Sequence, residues 1–320
     1  MKKILHSIAV VLIAALASGC MAGKFMSSYA LNFEPHGIAD IERTQHKADS
    51  LMPGSMAWYN GLKAEGILKD TVVNSALNGN KIHACYVSAL DPANAEGTAI
   101  VVHGYSDNHY VFLYLVRMYR DIFNYNVLFP DLQYHGYSEG DHAQMGWFDR
   151  FDVEQWADIA HDIFKNDFMV LHGVSMGGAT VMMASGDELK PYIRAIVEDC
   201  GYSSVVSQFY GNLRDTFPFI PPDILQSASL VTKRQHGWSF WEASSIDQLK
   251  KSTVPMLFIH GDADDFVPVK HVYRNYKAKK QGYKELWIAK GAVHANSFQS
   301  HPDEYKQHVK DFLNTVKRDY

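Results

Sequence analysis

Short apolar runs alternate with amphipathic stretches along most of the chain. "TAIVVHG" (98–104), "YNVLFPD" (125–131), "DFMVLHG" (167–173), "IRAIVEDC" (193–200) and "VPMLFIHGD" (254–262) are largely apolar segments of strand length that end in glycine, aspartate or a loop. Such runs predict strands buried on both faces. Between them, "VFLYLVRMYRDIF" (111–123) and "DVEQWADIAHDIF" (152–164) repeat apolar residues at helical spacing, and Asp152 suits the N-cap of the second. "MGGATVMMAS" (176–185) starts another helix, and "KELWIA" (284–289) predicts the last strand. In "DEYKQHVKDFLNTVKRD" (303–319), Tyr305, Val309, Phe312, Leu313 and Val316 form one apolar stripe. "TVVNSAL" and "KIHACYV" flank "NGN", a hairpin signal. The pattern predicts an α/β fold, with a mostly parallel sheet covered by helices on both faces and the hairpin as an antiparallel edge. From about 203 to 245 the alternation stops; "FPFIPP" and scattered aromatics predict an inserted helical cap.

The chain divides into three parts. Residues 1–19 read as a signal peptide: Lys2 and Lys3 precede the apolar run "ILHSIAVVLIAALA", which is short for a membrane span of about 20 apolar residues. An uncleaved anchor helix is the alternative reading. "LASGC", Leu16 to Cys20, resembles a bacterial lipobox, with Ala17 where that pattern usually has leucine. The resemblance implies cleavage before Cys20 and lipid on its sulfur, hence an exported, membrane-anchored lipoprotein of the cell envelope. Ala17 and Gly19 also suit ordinary signal peptidase, which leaves a soluble secreted or periplasmic form open. Residues 20–68 read as a tether and an N-terminal helical segment, with Pro53 and Gly54 at a turn. Residues 69–320 form the main domain.

Composition narrows the function. Apolar residues make up 47% of 320, enough for a large core, and a net charge of −5 with mixed signs gives no electrostatic reason to expect nucleic acid. Of the three cysteines, Cys85 and Cys200 sit in apolar strand-like runs and read as buried free thiols, although export would permit a disulfide. No compact zinc-ligand spacing such as H-E-x-x-H occurs, and "HGYSEG" lacks the Gly-Lys-Ser/Thr ending of a phosphate loop.

The chemistry gathers around "HGVSMGGA" (172–179). Gly-Val-Ser-Met-Gly fits the nucleophile elbow, in which flanking glycines let a serine sit on a sharp strand-to-helix turn above the sheet. A serine hydroxyl needs a base. His294 in "KGAVHANSF" follows the last strand and is the candidate among 16 histidines. The acid belongs between them in sequence: "HGDADDFVP" (260–268) offers Asp264, and Asp199 at the end of "AIVED" is the alternative. Oxyanion donors would be the backbone N–H groups of Met176 and of Tyr105 after "VVHG"; His103 supports that loop. Ser138 in "GYSEG" reads as structural.

Taken in order, "HGY" at 103, "PDLQYHGYSEG" at 130, "GVSMGG" at 173, "HGDADDFVP" at 260 and His294 resemble the α/β-hydrolase superfamily, in particular its serine-aminopeptidase-like and monoacylglycerol-lipase-like branch. The resemblance covers about residues 70–318. It implies an eight-stranded sheet, a cap after the sixth strand, no cofactor, and acyl transfer to water by Ser175, His294 and Asp264. The expected substrate is a small acyl ester, with an amide or aminoacyl substrate as the alternative; an inactive surface lipoprotein using the fold for binding is the third reading. Tyr210, Phe217, Phe219, Trp238, Phe240 and Trp241 are candidates for an apolar acyl pocket, set against plain cap packing.

Overall fold

A computed structural model describes residues 21–216 and 223–320. The expected signal peptide, Cys20, Phe217 and Phe219 lie outside the described residues. Eight strands form one sheet: β1 (Leu68–Asn74), β2 (Lys81–Val87), β3 (Gly97–Val102), β4 (Tyr125–Asp131), β5 (Met169–Val174), β6 (Ile193–Asp199), β7 (Met256–Gly261) and β8 (Lys284–Ala289). Their order is β1-β2-β4-β3-β5-β6-β7-β8. The first two pairings, β1 with β2 and β2 with β4, are antiparallel, and all others are parallel. The hairpin strand begins three residues before the predicted "TVVNSAL", because Ser75–Asn80 is taken up by the turn: Ser75 donates to Asp152, and the Asn78 and Asn80 amides donate to Gln133.

Strand residues alternate between two cores. Ile100, Val102, Leu128 and Leu171 pack on one face with Trp156 and Met182; Ala99, Val101, Val127 and Val170 pack on the other with Tyr305, Val309 and Phe312. This is the period of two that sends successive side chains to opposite faces, with apolar residues on both because both faces are covered. The first face carries α5 (Asp149–Phe164), α6 (Met176–Ala184), α9 (Ser245–Leu249) and α10 (Lys270–Ala278). The second carries α2 (Ile41–Leu51), α3 (Ser55–Ala64), α4 (Leu113–Arg117), α11 (Ser297–Ser300) and α12 (Pro302–Asp319). Trp156 is fully buried, and burying a large apolar side chain contributes about 1.5–3 kcal/mol.

Local chemistry shifts two predicted helices. The helix predicted over 111–123 is α4 followed by a π turn, Met118–Ile122. Helix α5 starts at Asp149, so Asp152 is not its N-cap; it lies buried in the first turn and accepts from Ser75 and Gln133. The stretch 203–245 holds α7 (Val205–Thr216) and α8 (Asp223–His236). The expected tether differs most. Residues 21–31 form a helix, α1, that packs on α8: Ser27 Oγ lies 2.8 Å from Thr232 Oγ1, and Met26 and Leu31 are buried. Cys85 and Cys200 are free and buried. Among the described residues, no helix is long and apolar enough to cross a membrane.

One contact sets the geometry of the sheet's C-terminal edge. Helix α6 leaves β5 at Ser175 and runs directly against the end of β3. A Cβ on Gly173 would lie 2.0 Å from the Gly177 carbonyl oxygen, and one on Gly177 would lie 2.1 Å from the Val102 oxygen. Both obstacles are backbone, so neither can yield cheaply. Gly173→Ala is expected to lower stability by about 1–3 kcal/mol or more, the range for forced overpacking, as a lower urea midpoint; an unchanged midpoint would refute the tight junction.

Candidate active site

The site lies where the C-terminal ends of β3, β5, β7 and β8 converge, the edge at which open α/β sheets bind ligands. Ser175 occupies the β5–α6 turn with φ 58° and ψ −116°. This strained backbone is held by the Ser175 N–H donating to the Asp199 carbonyl at 2.8 Å and by the first helical bond, Ala179 N–H to the Ser175 carbonyl at 3.0 Å. The strain points the hydroxyl out of the turn, where its oxygen lies 2.9 Å from His294 Nε2.

His294 comes from the loop after β8. That loop is stitched to the one after β7: Ala263 N–H donates to the Ala292 carbonyl at 3.1 Å, and Asp262 accepts from Gly291 N–H at 2.5 Å. Asp262, though exposed, therefore links the two loops. His294 Nδ1 lies 2.8 Å from Asp264 Oδ2. Asp264 also accepts from the backbone N–H groups of Phe266 at 3.0 Å and Val267 at 2.8 Å, and buried His260 approaches it at 3.3 Å. Burial works against the Asp264 charge, yet the hydrogen bonds from His260 and His294 prevail and hold its pKa down to about 2.

Asp199, the alternative acid, is engaged elsewhere. Its carboxyl accepts from Tyr305 at 3.1 Å and Ser297 at 3.4 Å. Burial raises its pKa to about 6, against the pull of His260, Tyr305 and His294. Tyr305 continues through His172, 2.9 Å away, to Tyr119 at a further 2.9 Å, a polar thread through the second core.

The loop after β3 faces the same point. A Cβ on Gly104 would lie 3.3 Å from Ser175 Cβ. His103 Nε2 accepts from Leu132 N–H at 2.9 Å, so its proton is on Nδ1, which donates to the Gly104 carbonyl at 2.8 Å. Burial keeps this imidazole neutral by lowering its pKa. Asp107 N–H also donates to the Gly104 carbonyl. In a trans peptide the N–H points opposite the C=O, so pinning that carbonyl fixes the Tyr105 N–H direction. Met176 is the first residue of α6, where amides have no partner within the helix. Ser138 is structural: it donates to the Asp131 carbonyl at 2.6 Å and accepts from His83 N–H at 2.9 Å.

A cavity of about 700 Å³ opens over Ser175 and Met176, walled by Tyr29, Tyr105, Tyr202, Phe209, Leu225 and Phe266. Of the candidate aromatics, those among the described residues do not line this wall. Trp238 and Phe240 are buried in the core beneath the cap, while Tyr210 and Trp241 are exposed and outside the cavity wall. Four contributing residues escaped sequence reasoning. Met26 and Tyr29 reach the cavity from α1, the supposed tether. Gly23, Met26, Ser27 and Leu31 are its buried positions, and that helical spacing was the available signal. Asp265 is exposed and contributes to the cavity lining, and His260 supports Asp264 from below.

The sheet order, the elbow and the hydrogen-bonded Ser-His-Asp run define a serine hydrolase of the α/β-hydrolase superfamily. The chain belongs to the prolyl oligopeptidase family, whose sequence pattern matches residues 133–318, more than half its length. It is 27% identical to Bacillus subtilis YqkD over 79% of this chain and 81% of that protein. Escherichia coli YfhR is 26% identical over 76% of this chain and 80% of its own length. Among solved structures, the Pyrococcus furiosus esterase Pf2001 superposes with a TM-score of 0.60 at 21% identity, covering 79% of this chain and 92% of that one. The Pyrococcus horikoshii acylaminoacyl peptidase superposes with 0.58 at 14% identity, covering 81% of this chain and 43% of the peptidase.

The Asp199 carboxyl provides a pH test. Its pKa is near 6 folded and about 3.9 unfolded, so between these values the folded state holds the extra proton. Stability should then fall as pH rises from about 4 to about 6. Urea titrations across that window should show a shallower fall for Asp199→Asn than for the wild type; parallel curves would contradict the buried, raised carboxyl.

Proposed function

We propose that the chain hydrolyses carboxylic esters through an acyl-enzyme on Ser175. The observation that carries this reading is the Ser175–His294–Asp264 run, 2.9 and 2.8 Å long at its two links, opening at the foot of an apolar cavity. Ser175 attacks the substrate carbonyl as His294 Nε2 takes its proton. Asp264 holds the imidazole with its proton on Nδ1 and stabilises the imidazolium. The N–H groups of Tyr105 and Met176 receive the oxyanion; such donors can contribute about 3 kcal/mol each to the barrier. His294 then protonates the leaving alcohol, activates water, and the second half-reaction frees the acid. The aromatic and aliphatic wall favours an apolar acyl group.

A second reading is peptide or aminoacyl amide cleavage. Asp265 on the cavity wall favours it, since a carboxylate there can pair with a substrate amine. A pure binding module has no need of a base and acid aligned on a strained serine, which argues against the third reading.

Ser175→Ala should abolish hydrolysis of short p-nitrophenyl esters and labelling by a fluorophosphonate probe. Asp264→Asn should lower kcat about 10⁴-fold, the loss expected when the histidine tautomer is wrong, while Asp199→Asn should stay within about tenfold of wild type. Ester turnover unaffected by Ser175→Ala would overturn the assignment. Faster turnover of aminoacyl amides than of esters, lost in Asp265→Asn, would favour the peptidase.

The reading extends to an exported protein anchored by lipid on Cys20, supported by the "LASGC" sequence after a short apolar run. Cells grown with labelled palmitate should yield labelled protein, and Cys20→Ala should remove the label. Label that persists in that variant would count against the anchor.

A further inference from the structure

Away from the serine, the β1–β2 ladder gathers three metal-ligand side chains. Asp70 on β1 stands directly opposite Cys85 on β2, and His83 is two residues before Cys85, so all three share one face of the hairpin. Cys85 Sγ lies 3.3 Å from Asp70 Oδ1 and 4.0 Å from His83 Nε2, and His83 Nε2 lies 3.5 Å from Asp70 Oδ1. Zinc holds Cys, His and Asp atoms at about 2.0–2.3 Å, which puts tetrahedral neighbours roughly 3.3–3.6 Å apart. The two edges at Asp70 Oδ1 match such a tetrahedron, and the Cys85–His83 edge, at 4.0 Å, is wider.

The surroundings point the same way. Asp131 is fully buried and takes His83 Nδ1 at 2.8 Å, along with His109 Nδ1 at 2.8 Å and the backbone N–H groups of His109 and Tyr137. This is the carboxylate–histidine pairing that fixes a metal-bound imidazole. His83 Nε2, the ring nitrogen that Asp131 does not hold, faces Asp70 Oδ1. Lys63 Nζ holds Asp70 from the outer side, 2.9 Å from Oδ2 and 3.2 Å from Oδ1, while Oδ1 also faces Cys85 and His83. Cys85 and His83 are buried, whereas the Asp70 side chain is 37% exposed and gives a path inward.

We infer that Asp70, His83 and Cys85 form a binding site for a zinc-like divalent cation, with the fourth position open to water. Binding displaces the Cys85 thiol proton to solvent and leaves a metal–thiolate bond. The site would tie the hairpin to Asp131 at the end of β4, a bracing role separate from the serine chemistry. No compact sequence motif announces it, because the ligands come from two strands joined by the ladder.

Cobalt(II) reports the site directly. Full-length protein, stripped with a chelator and titrated with Co²⁺, should develop a thiolate-to-cobalt absorption band that saturates at about one equivalent, since cysteine–histidine–carboxylate sets suit such ions. Cys85→Ser should remove the band, and Cys200→Ser should keep it. Asp70→Asn, at a half-exposed position, should weaken Co²⁺ affinity at least tenfold while unfolding as cooperatively as wild type. No thiolate band in wild type, or a band that survives Cys85→Ser, would mean a hydrogen-bonded network only and would overturn the site. If Cys85→Ser fails to fold, unchanged Co²⁺ affinity in Asp70→Asn overturns it equally.

Discussion

The backbone contact between α6 and the end of β3 is the constraint on which the site depends. Gly177 lets α6 meet the end of β3, and Gly173 lets β5 meet the first turn of α6, where a Cβ on either would strike backbone. With no Cβ at either, the chain turns from β5 into α6 within a single residue, and that residue is Ser175, at φ 58°. The same closeness sets Gly104 against Ser175. The strain is balanced by surrounding order: the Asp199 carbonyl holds the Ser175 N–H from β6, and His103 holds the loop after β3. A strained position persists only where its neighbours over-determine it, and here they come from β3, β6 and α6 together.

Buried carboxylates organise the rest of the edge, each set by what donates to it. Asp264 collects two backbone N–H groups and two histidines, so it stays charged although buried. Asp131 collects two imidazoles and two backbone N–H groups, and they hold its pKa well below the ordinary carboxylate range against the burial that would raise it. Asp199 accepts side-chain hydrogen bonds from the hydroxyls of Tyr305 and Ser297, and burial shifts it upward. In all three burial penalises the ion, and at Asp264 and Asp131 the imidazole and backbone N–H donors together outweigh it. That difference also separates the two candidate acids in physical terms, since Asp264 meets His294 and Asp199 meets Tyr305 and Ser297.

Much of this was legible along the chain. Parallel strands buried on both faces announce themselves as apolar runs, and the sheet has all of them in their predicted places. The elbow was legible because its requirement is local: glycines flank a serine between strand and helix. His294 and Asp264 were legible by position after β8 and β7. What failed to show was decided by distance in sequence. Trp238 and Phe240 look like pocket aromatics in a list of residues, but packing draws them into the core and gives the cavity to Phe209, Tyr202 and Phe266. Asp152 resembles a helix cap until Ser75 and Gln133 arrive from elsewhere and take its oxygens.

By itself, then, the sequence determined the α/β class, the run of strands and the turn that carries Ser175, because each is governed by spacing within a few residues. Only the tertiary structure decided which carboxylate reaches His294, what lines the cavity, and that residues 21–31 are a packed helix rather than a tether. It also decided that Asp70, His83 and Cys85 meet, through a ladder register that sets residue 70 opposite residue 85. Such contacts join positions tens to hundreds of residues apart, and burial selects among them only once the whole sheet has formed.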